Sequence, residues 1–263
     1  MKTLVAIYKL LRGLGHMLKG VWWVHMHFPK LSPEHSEAWV QAWSVQLLAL
    51  WNIRLHVLGQ PVLNGPMLLV ANHISWLDIV VMHAARHCRF VSKSDIQEWP
   101  LIGTLATGCD TLFIQRTNRR DAMRVVQEMT RALKAGDVVA IFPEGTTGDG
   151  LQLLPFHANL IQAAIAANAP VQPVALKFVD RQSGAISLAP AYIGDDSLLV
   201  SVWRTLTAEG IDAVVHFGEP QTAQGRDRRA WAHDLREEVI RLNAATERVQ
   251  TIPTAAKKAK LWF

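Results

Sequence analysis

The chain has 263 residues, half of them hydrophobic, with a mean hydropathy of +0.12 and a formal net charge of +5. This length suits one large α/β domain with an appendage, or two small domains, and the hydropathy is too low for a polytopic membrane protein. The charge points to an anionic partner. No zinc-finger spacing, ribonucleoprotein-type aromatic motif or dense basic stripe favours nucleic acid, so an anionic membrane surface fits better.

Residues 1–28 are apolar and basic, like a signal peptide, but no small-x-small cleavage site follows, and Arg12, His16 and Lys19 break the apolar run. On a helical wheel Lys2, Lys9, Arg12, His16 and Lys19 share one arc, roughly 100° wide. Leu4, Ile7, Leu11, Leu14, Leu18, Trp22 and Trp23 lie opposite. This pattern predicts a helix lying in the membrane interface; the alternatives are an ordinary helix packed on its own domain and, less favoured because an uninterrupted run of ~20 apolar residues is missing, a transmembrane span. Pro29 to Pro33 ends it, and Ser32 caps a second helix from Pro33 to Trp51. The expected organisation is a membrane-associated helical hairpin over residues 1–52 and one further domain over 53–263.

That domain alternates strands and helices. Strands are expected at Arg54 to Leu63 (interrupted by Gly59), 67–72, Arg89 to Ser92, Thr111 to Gln115, Val138 to Phe142, Val171 to Phe178, Ala185 to Leu188 and Ala213 to Phe217. Helices are expected at 76–86, Arg119 to Lys134, Ala158 to Ala167 and roughly Arg226 to Arg248, followed by a basic tail. Asn118 with Asp121 resembles a capping box, and Gly136 a C-cap. The fold class is α/β, with a mostly parallel central sheet flanked by helices. Cys88 and Cys109 are the only cysteines, with no C-x-x-C spacing, the usage of a cytosolic chain.

His73 and Asp78 are five positions apart, about 140° on one helix, so on continuous helix they share no face. They meet only if the chain turns between them. Met67 to Ala71 reads as a buried strand and Ser75 as an N-cap, so His73 ends the strand and Asp78 enters the first helical turn. A general base then stands beside a carboxylate that can orient it. Such a pair is often structural, and Asp78 could simply complete a capping box with Ser75. Three further segments stand at strand ends or turns. Arg116 follows the apolar Phe113-Ile114-Gln115 and offers a planar fork of donors suited to phosphate. Phe142-Pro143-Glu144-Gly145-Thr146-Thr147 leaves a strand in a glycine-rich turn. Val171-Gln172-Pro173-Val174 is apolar.

Together, in this order, the segments resemble the glycerolipid acyltransferases, the lysophosphatidic acid acyltransferase family. The first motif, N-H-x4-D, is complete at Asn72, His73 and Asp78. In the second, Phe113, Ile114 and Arg116 match, but Asp110 stands where glycine is usual. In the third, Phe142 through Thr146 match and Thr147 departs from arginine or serine. The fourth matches at Val171, Pro173 and Val174. The resemblance covers about residues 50–220.

The resemblance implies transfer of a fatty acyl group from an acyl-carrier-protein or coenzyme A thioester to a lysophospholipid hydroxyl. His73 would act as general base and Asp78 as its orienting partner. Asn72, Arg116, Glu144, Gly145 and Thr146 would bind substrate, with Arg116 on the acceptor's phosphate and Glu144 at the glycerol portion. No metal and no cofactor beyond the thioester co-substrate is implied. The i, i+4 spacing of His83 and His87 lacks a third ligand. The leading expectation is a 1-acylglycerol-3-phosphate acyltransferase at the cytoplasmic face of a bacterial membrane. Thr146-Thr147-Gly148-Asp149-Gly150, leading into Leu154-Pro155-Phe156, also looks like enzymes that complete ornithine lipids. A rival of another class is a non-catalytic membrane-surface protein that keeps the fold; a serine hydrolase is a third, disfavoured because no serine sits in a nucleophile-elbow setting.

Overall fold

The computed structural model describes residues 2–115 and 119–245. Arg116, Asn118 and the basic tail lie outside the described residues. The N-terminal hairpin is α1 (Lys2–Met26) and α2 (Pro33–Leu50), with Pro33 in the first turn of α2 and the Ser32 hydroxyl accepting the His35 N–H. There follow β1 (Ile53–Leu58), β2 (Met67–Ala71), α3 (Leu77–Ala85), β3 (Arg89–Lys93), α4 (Ile102–Gly108), β4 (Leu112–Ile114), α5 (Arg119–Lys134) and β5 (Val138–Ile141). The chain continues through α6 (Ala158–Ala167), β6 (Val171–Asp180), α7 (Leu198–Thr207), β7 (Ile211–Phe217) and α8 (Arg228–Ala245).

The seven strands form one sheet in the order β1-β7-β6-β2-β5-β3-β4. Every pairing is parallel except β6 with β7. β2 is central, and all five of its residues are buried. Its side chains alternate between two cores, as the two-residue period of a strand requires. Met67, Leu69 and Ala71 join Leu47, Leu48, Leu77 and Met82 beneath α2 and α3. Leu68 and Val70 join Met129, Leu133, Ile161 and Trp231 beneath α5, α6 and α8. The hairpin shares the first of these cores through Ala6, Leu47, Leu48 and Trp51.

One expected strand is corrected, and two features go beyond the sequence reading. Ala185 to Leu188 is not a strand; it makes one isolated bridge, Ile186 to Val179, because the chain leaves the sheet there through a turn. α7 is absent from the sequence reading, since Val200, Val202 and Thr205 weaken its helical signal. The basic stripe of α1 is divided between solvent, at Lys2, Arg12 and Lys19, and the protein's own interior. Lys9 is buried and donates to the Leu206 carbonyl at 3.1 Å, and a ring nitrogen of His16 bonds the Trp43 carbonyl at 2.9 Å. The reason is close approach: a Cβ on Gly13 would lie 2.5 Å from the Trp51 indole, and one on Gly20 would lie 2.8 Å from that of Trp43. The small residues therefore set which face packs inward, and the large apolar ones are left outside. No helix among the described residues is long and apolar enough to cross a membrane.

Candidate active site

The carboxyl ends of β2 and β5, adjacent in the centre of the sheet, deliver the two motif loops to one place. This is the crevice where open α/β sheets bind ligands. After Ala71 the chain leaves β2, turns through His73 to Ser75, and enters α3. His73 Nδ1 lies 2.8 Å from Asp78 Oδ2. The same oxygen accepts the N–H groups of Ile74 at 2.7 Å and Ser75 at 2.9 Å. The Ser75 hydroxyl meanwhile accepts the Leu77 N–H. The capping role and the pairing with histidine thus coincide in one carboxylate. The helix itself begins at Leu77, with Trp76 rather than Ser75 at the cap position.

Asp78 is fully buried, whereas the His73 side chain is 20% exposed. With Nδ1–H donating to Asp78, Nε2 keeps its lone pair and has no hydrogen-bond partner among the described residues. A buried carboxylate held there favours the imidazolium that forms when Nε2 takes a proton. Phe142 lies flat on the imidazole, ring centroids 4.1 Å apart and planes 7° from parallel, and Phe90 continues the stack. The ring is therefore fixed by one hydrogen bond and one apolar face.

Asn72 is buried. Its amide donates to the Leu176 carbonyl at 3.0 Å and accepts the Leu176 N–H at 2.7 Å, tying the end of β2 to β6. Glu144, also buried, accepts the His73 N–H on Oε1 and the Leu154 N–H on Oε2, each at 2.7 Å. Burial pushes its carboxyl above the usual range, against the pull of those two amides. The Gly148 N–H donates to the His73 carbonyl at 2.9 Å, so the third-motif loop grips the first-motif turn on both sides of His73. Gly145 has φ +74°, and a Cβ there would meet the His157 ring at 2.9 Å. That turn needs glycine for both reasons. Gly145 and Thr146 are exposed at the loop tip, open to a ligand. Arg116 lies outside the described residues, just beyond β4.

Two features escaped the sequence reading. Asp110 has φ +53°, the left-handed region, and its carbonyl accepts a bond from Arg89 Nε at 2.8 Å. The departure from the usual glycine thus falls where the backbone favours glycine. The second feature is a strap, residues 189–196, beside the first-motif turn. Its Pro190 carbonyl accepts the Ser75 hydroxyl at 2.5 Å, and the Tyr192 N–H donates to the Ile74 carbonyl at 3.2 Å. The Thr147 hydroxyl donates to the Tyr192 carbonyl. No periodic or motif signal marks such a segment in sequence.

A family model described as acyltransferase matches residues 52–177. The chain is 37% identical over 197 residues to a lyso-ornithine lipid O-acyltransferase of Pseudomonas aeruginosa, covering 75% of each chain. It is 36% identical over 195 residues to a 1-acyl-sn-glycerol-3-phosphate acyltransferase of Neisseria gonorrhoeae, covering 73% of this chain and 75% of that one. Among solved structures, the 1-acyl-sn-glycerophosphate acyltransferase of Thermotoga maritima aligns with a TM-score of 0.72 at 16% identity, over 96% of this chain and 100% of that one. At that identity the likeness shows the fold.

Proposed function

The chain belongs to the glycerolipid acyltransferase family, and from that premise we propose that it acylates the sn-2 hydroxyl of 1-acylglycerol-3-phosphate, forming phosphatidic acid. The observation that carries the chemistry is His73, held by Asp78 through Nδ1 with Nε2 open. The acceptor hydroxyl donates its hydrogen bond to Nε2. As the proton moves to Nε2, the oxygen attacks the thioester carbonyl carbon. The carbon–sulfur bond then breaks, and the departing thiolate takes the proton back from Nε2. The products are the ester and a free thiol, with no acyl-enzyme.

Direct attack is supported by what a covalent route lacks. The chain contains no G-x-S-x-G elbow. Burial pushes the thiols of Cys88 and Cys109 up to about 12, which leaves almost no thiolate at neutral pH. In this reading Asn72 and Glu144 fix the histidine loop, while Gly145, Thr146 and Arg116 face the acceptor, Arg116 at its phosphate. No metal or cofactor takes part, and the donor is an acyl-carrier-protein or coenzyme A thioester. The exposed apolar face of α1 rests on the inner face of a bacterial cytoplasmic membrane. Large apolar residues outside and polar or small ones inside suit lipid, not water, as the helix's outer neighbour.

One observation favours a second acceptor, lyso-ornithine lipid. The Thr147 hydroxyl is engaged by Tyr192, at the position where the family often carries a cationic arginine. The Pseudomonas relative is named for that substrate.

The test is thiol release from a long-chain acyl thioester by the purified chain in detergent, with each lyso-lipid supplied separately. Release that requires lysophosphatidic acid and disappears in His73→Ala is expected. Release with lyso-ornithine lipid alone moves the acceptor and keeps the mechanism. Substantial turnover by His73→Ala overturns the mechanism.

A further inference from the structure

Two helices of this protein, α1 and α7, are inside out, and they pack against each other. α7 repeats the inversion of α1. Ser201 and Thr205 are buried, while Leu199 is 80%, Val200 51% and Trp203 39% exposed. The Ser201 hydroxyl lies 3.2 Å from the Pro190 carbonyl and 3.3 Å from that of Ala191, so hydrogen bonds satisfy the polar part of the buried face, while Leu206 alone of its large apolar residues is fully buried in the first core. A helix resting against its own domain in water carries the opposite distribution.

The two helices are also joined chemically. Lys9 of α1 donates to the carbonyls of Leu206 at 3.1 Å and Ala208 at 3.4 Å, at the C-terminal end of α7, where a cation is favoured. The outward apolar faces, Leu4 and Leu11 on α1 and Leu199, Val200 and Trp203 on α7, therefore belong to one welded pair of helices. Residues 1–33 contain lysine and arginine but no aspartate or glutamate, and α7 contains no acidic residue. Lys2 pairs with Glu209 and Arg204 with Asp196, so the positive charge that the pair offers to anionic lipid is that of the exposed Arg12 and Lys19 on α1.

We infer that α7 is a second bilayer-contacting element, seating Leu199, Val200 and Trp203 in the lipid interface beside α1. The inference rests on the membrane reading of α1 proposed above. It has a consequence for the active site. Ser201 and Arg204 of α7 hold the strap, Arg204 donating to the Ala191 carbonyl and pairing with Asp196 at 2.7 Å. The strap in turn holds Ser75 and Ile74, next to His73. Seating α7 on lipid therefore steadies one wall of the catalytic turn.

The experiment places an environment-sensitive fluorophore on Leu199→Cys, Leu11→Cys or Met123→Cys of the full chain, in a Cys109→Ser background. Vesicles are phosphatidylethanolamine and phosphatidylglycerol with nitroxide-bearing acyl chains. Met123, exposed on α5, is the control. Quenching and a blue shift at both Leu11 and Leu199, but not at Met123, is the expected result. Quenching at Leu11 without Leu199 means that α1 docks and α7 does not, and overturns the inference alone. Quenching at neither overturns the membrane reading and the inference with it. A shift at Leu199 that grows with protein concentration before vesicles are added indicates a second copy as the occupant, and also overturns it. As a second measure, Leu199→Glu with Trp203→Glu lowers vesicle partitioning more than about tenfold, with an unchanged circular dichroism spectrum. Unchanged partitioning of that folded variant also overturns the inference.

Discussion

Glu144 and His73 are joined through the backbone: one carboxylate oxygen accepts the His73 N–H at 2.7 Å while the other reaches across to Leu154. Removing the carboxylate leaves two buried or half-buried amides without an acceptor, at about 1–3 kcal/mol each. Glu144→Ala is therefore expected to lower the melting temperature. It also loosens the turn carrying the base, and a displacement near 1 Å costs about 10²-fold in rate. Glu144→Gln keeps one acceptor oxygen and recovers part of both losses. Thermal unfolding and kcat measured on the same preparations check this, and an active, fully stable Glu144→Ala would remove Glu144 from the positioning of His73.

Asp78 receives three donors on one oxygen, from His73, Ile74 and Ser75. An asparagine in its place could offer an amide oxygen to those donors, but it carries no charge to balance an imidazolium. In other histidine–aspartate systems the corresponding change costs about 10⁴-fold in kcat with the geometry intact. Asp78→Asn is expected to behave similarly while remaining folded by circular dichroism. A loss below about tenfold would mean that the pair is mainly a helix cap.

Much of this site is legible in sequence because it sits where regular structure ends. The buried run Met67 to Ala71 and the return to helical periodicity at Leu77 force a turn that brings His73 to Asp78. The helix Arg119–Lys134 and the cap at Gly136 are equally readable, from periodicity and one glycine with φ +95°. The strap is not, since Pro190 and Tyr192 act through backbone groups that any residue carries. α7 and the packing of α1 are hidden for different reasons. In α7 the β-branched residues weaken the helical signal, and in α1 the burial of Lys9 depends on the close approach allowed by Gly13 and Gly20, which an amphipathic pattern does not mark.

Asp110 occupies a left-handed backbone position, φ +53°. A side chain there costs roughly 1–2 kcal/mol, less for aspartate, and glycine removes that strain while adding about 0.5–1 kcal/mol of chain entropy to the unfolded state. Asp110→Gly should therefore leave stability unchanged or slightly higher, whereas the β-branched Asp110→Val should lower it by about 1–2 kcal/mol. Urea midpoints of the three proteins decide. Equal stability of the valine and glycine variants would show that φ does not govern this position.

His83 and His87 stack on α3, ring centroids 5.2 Å apart, and both are buried. Burial lowers the His83 imidazole from 6.5 to about 3 and that of His87 to about 4. His83 Nδ1 is buried without a partner. In the unfolded chain both rings bind protons below about 6.5, but in the folded chain they resist until far lower pH. The stability that goes with their neutral burial is therefore fully present above about 6.5. It is lost progressively as pH falls below that value, until the folded rings also take up protons, near 4 for His87 and near 3 for His83. Over that window each ring removes at most about 1.4 kcal/mol for every fall of one in pH. His83→Leu removes one of the two groups and an unsatisfied nitrogen, so its stability should fall less between pH 7 and pH 5 than that of the parent protein. Urea unfolding at the two pH values measures the difference, and parallel losses in both proteins would show that these histidines do not set the acid limit.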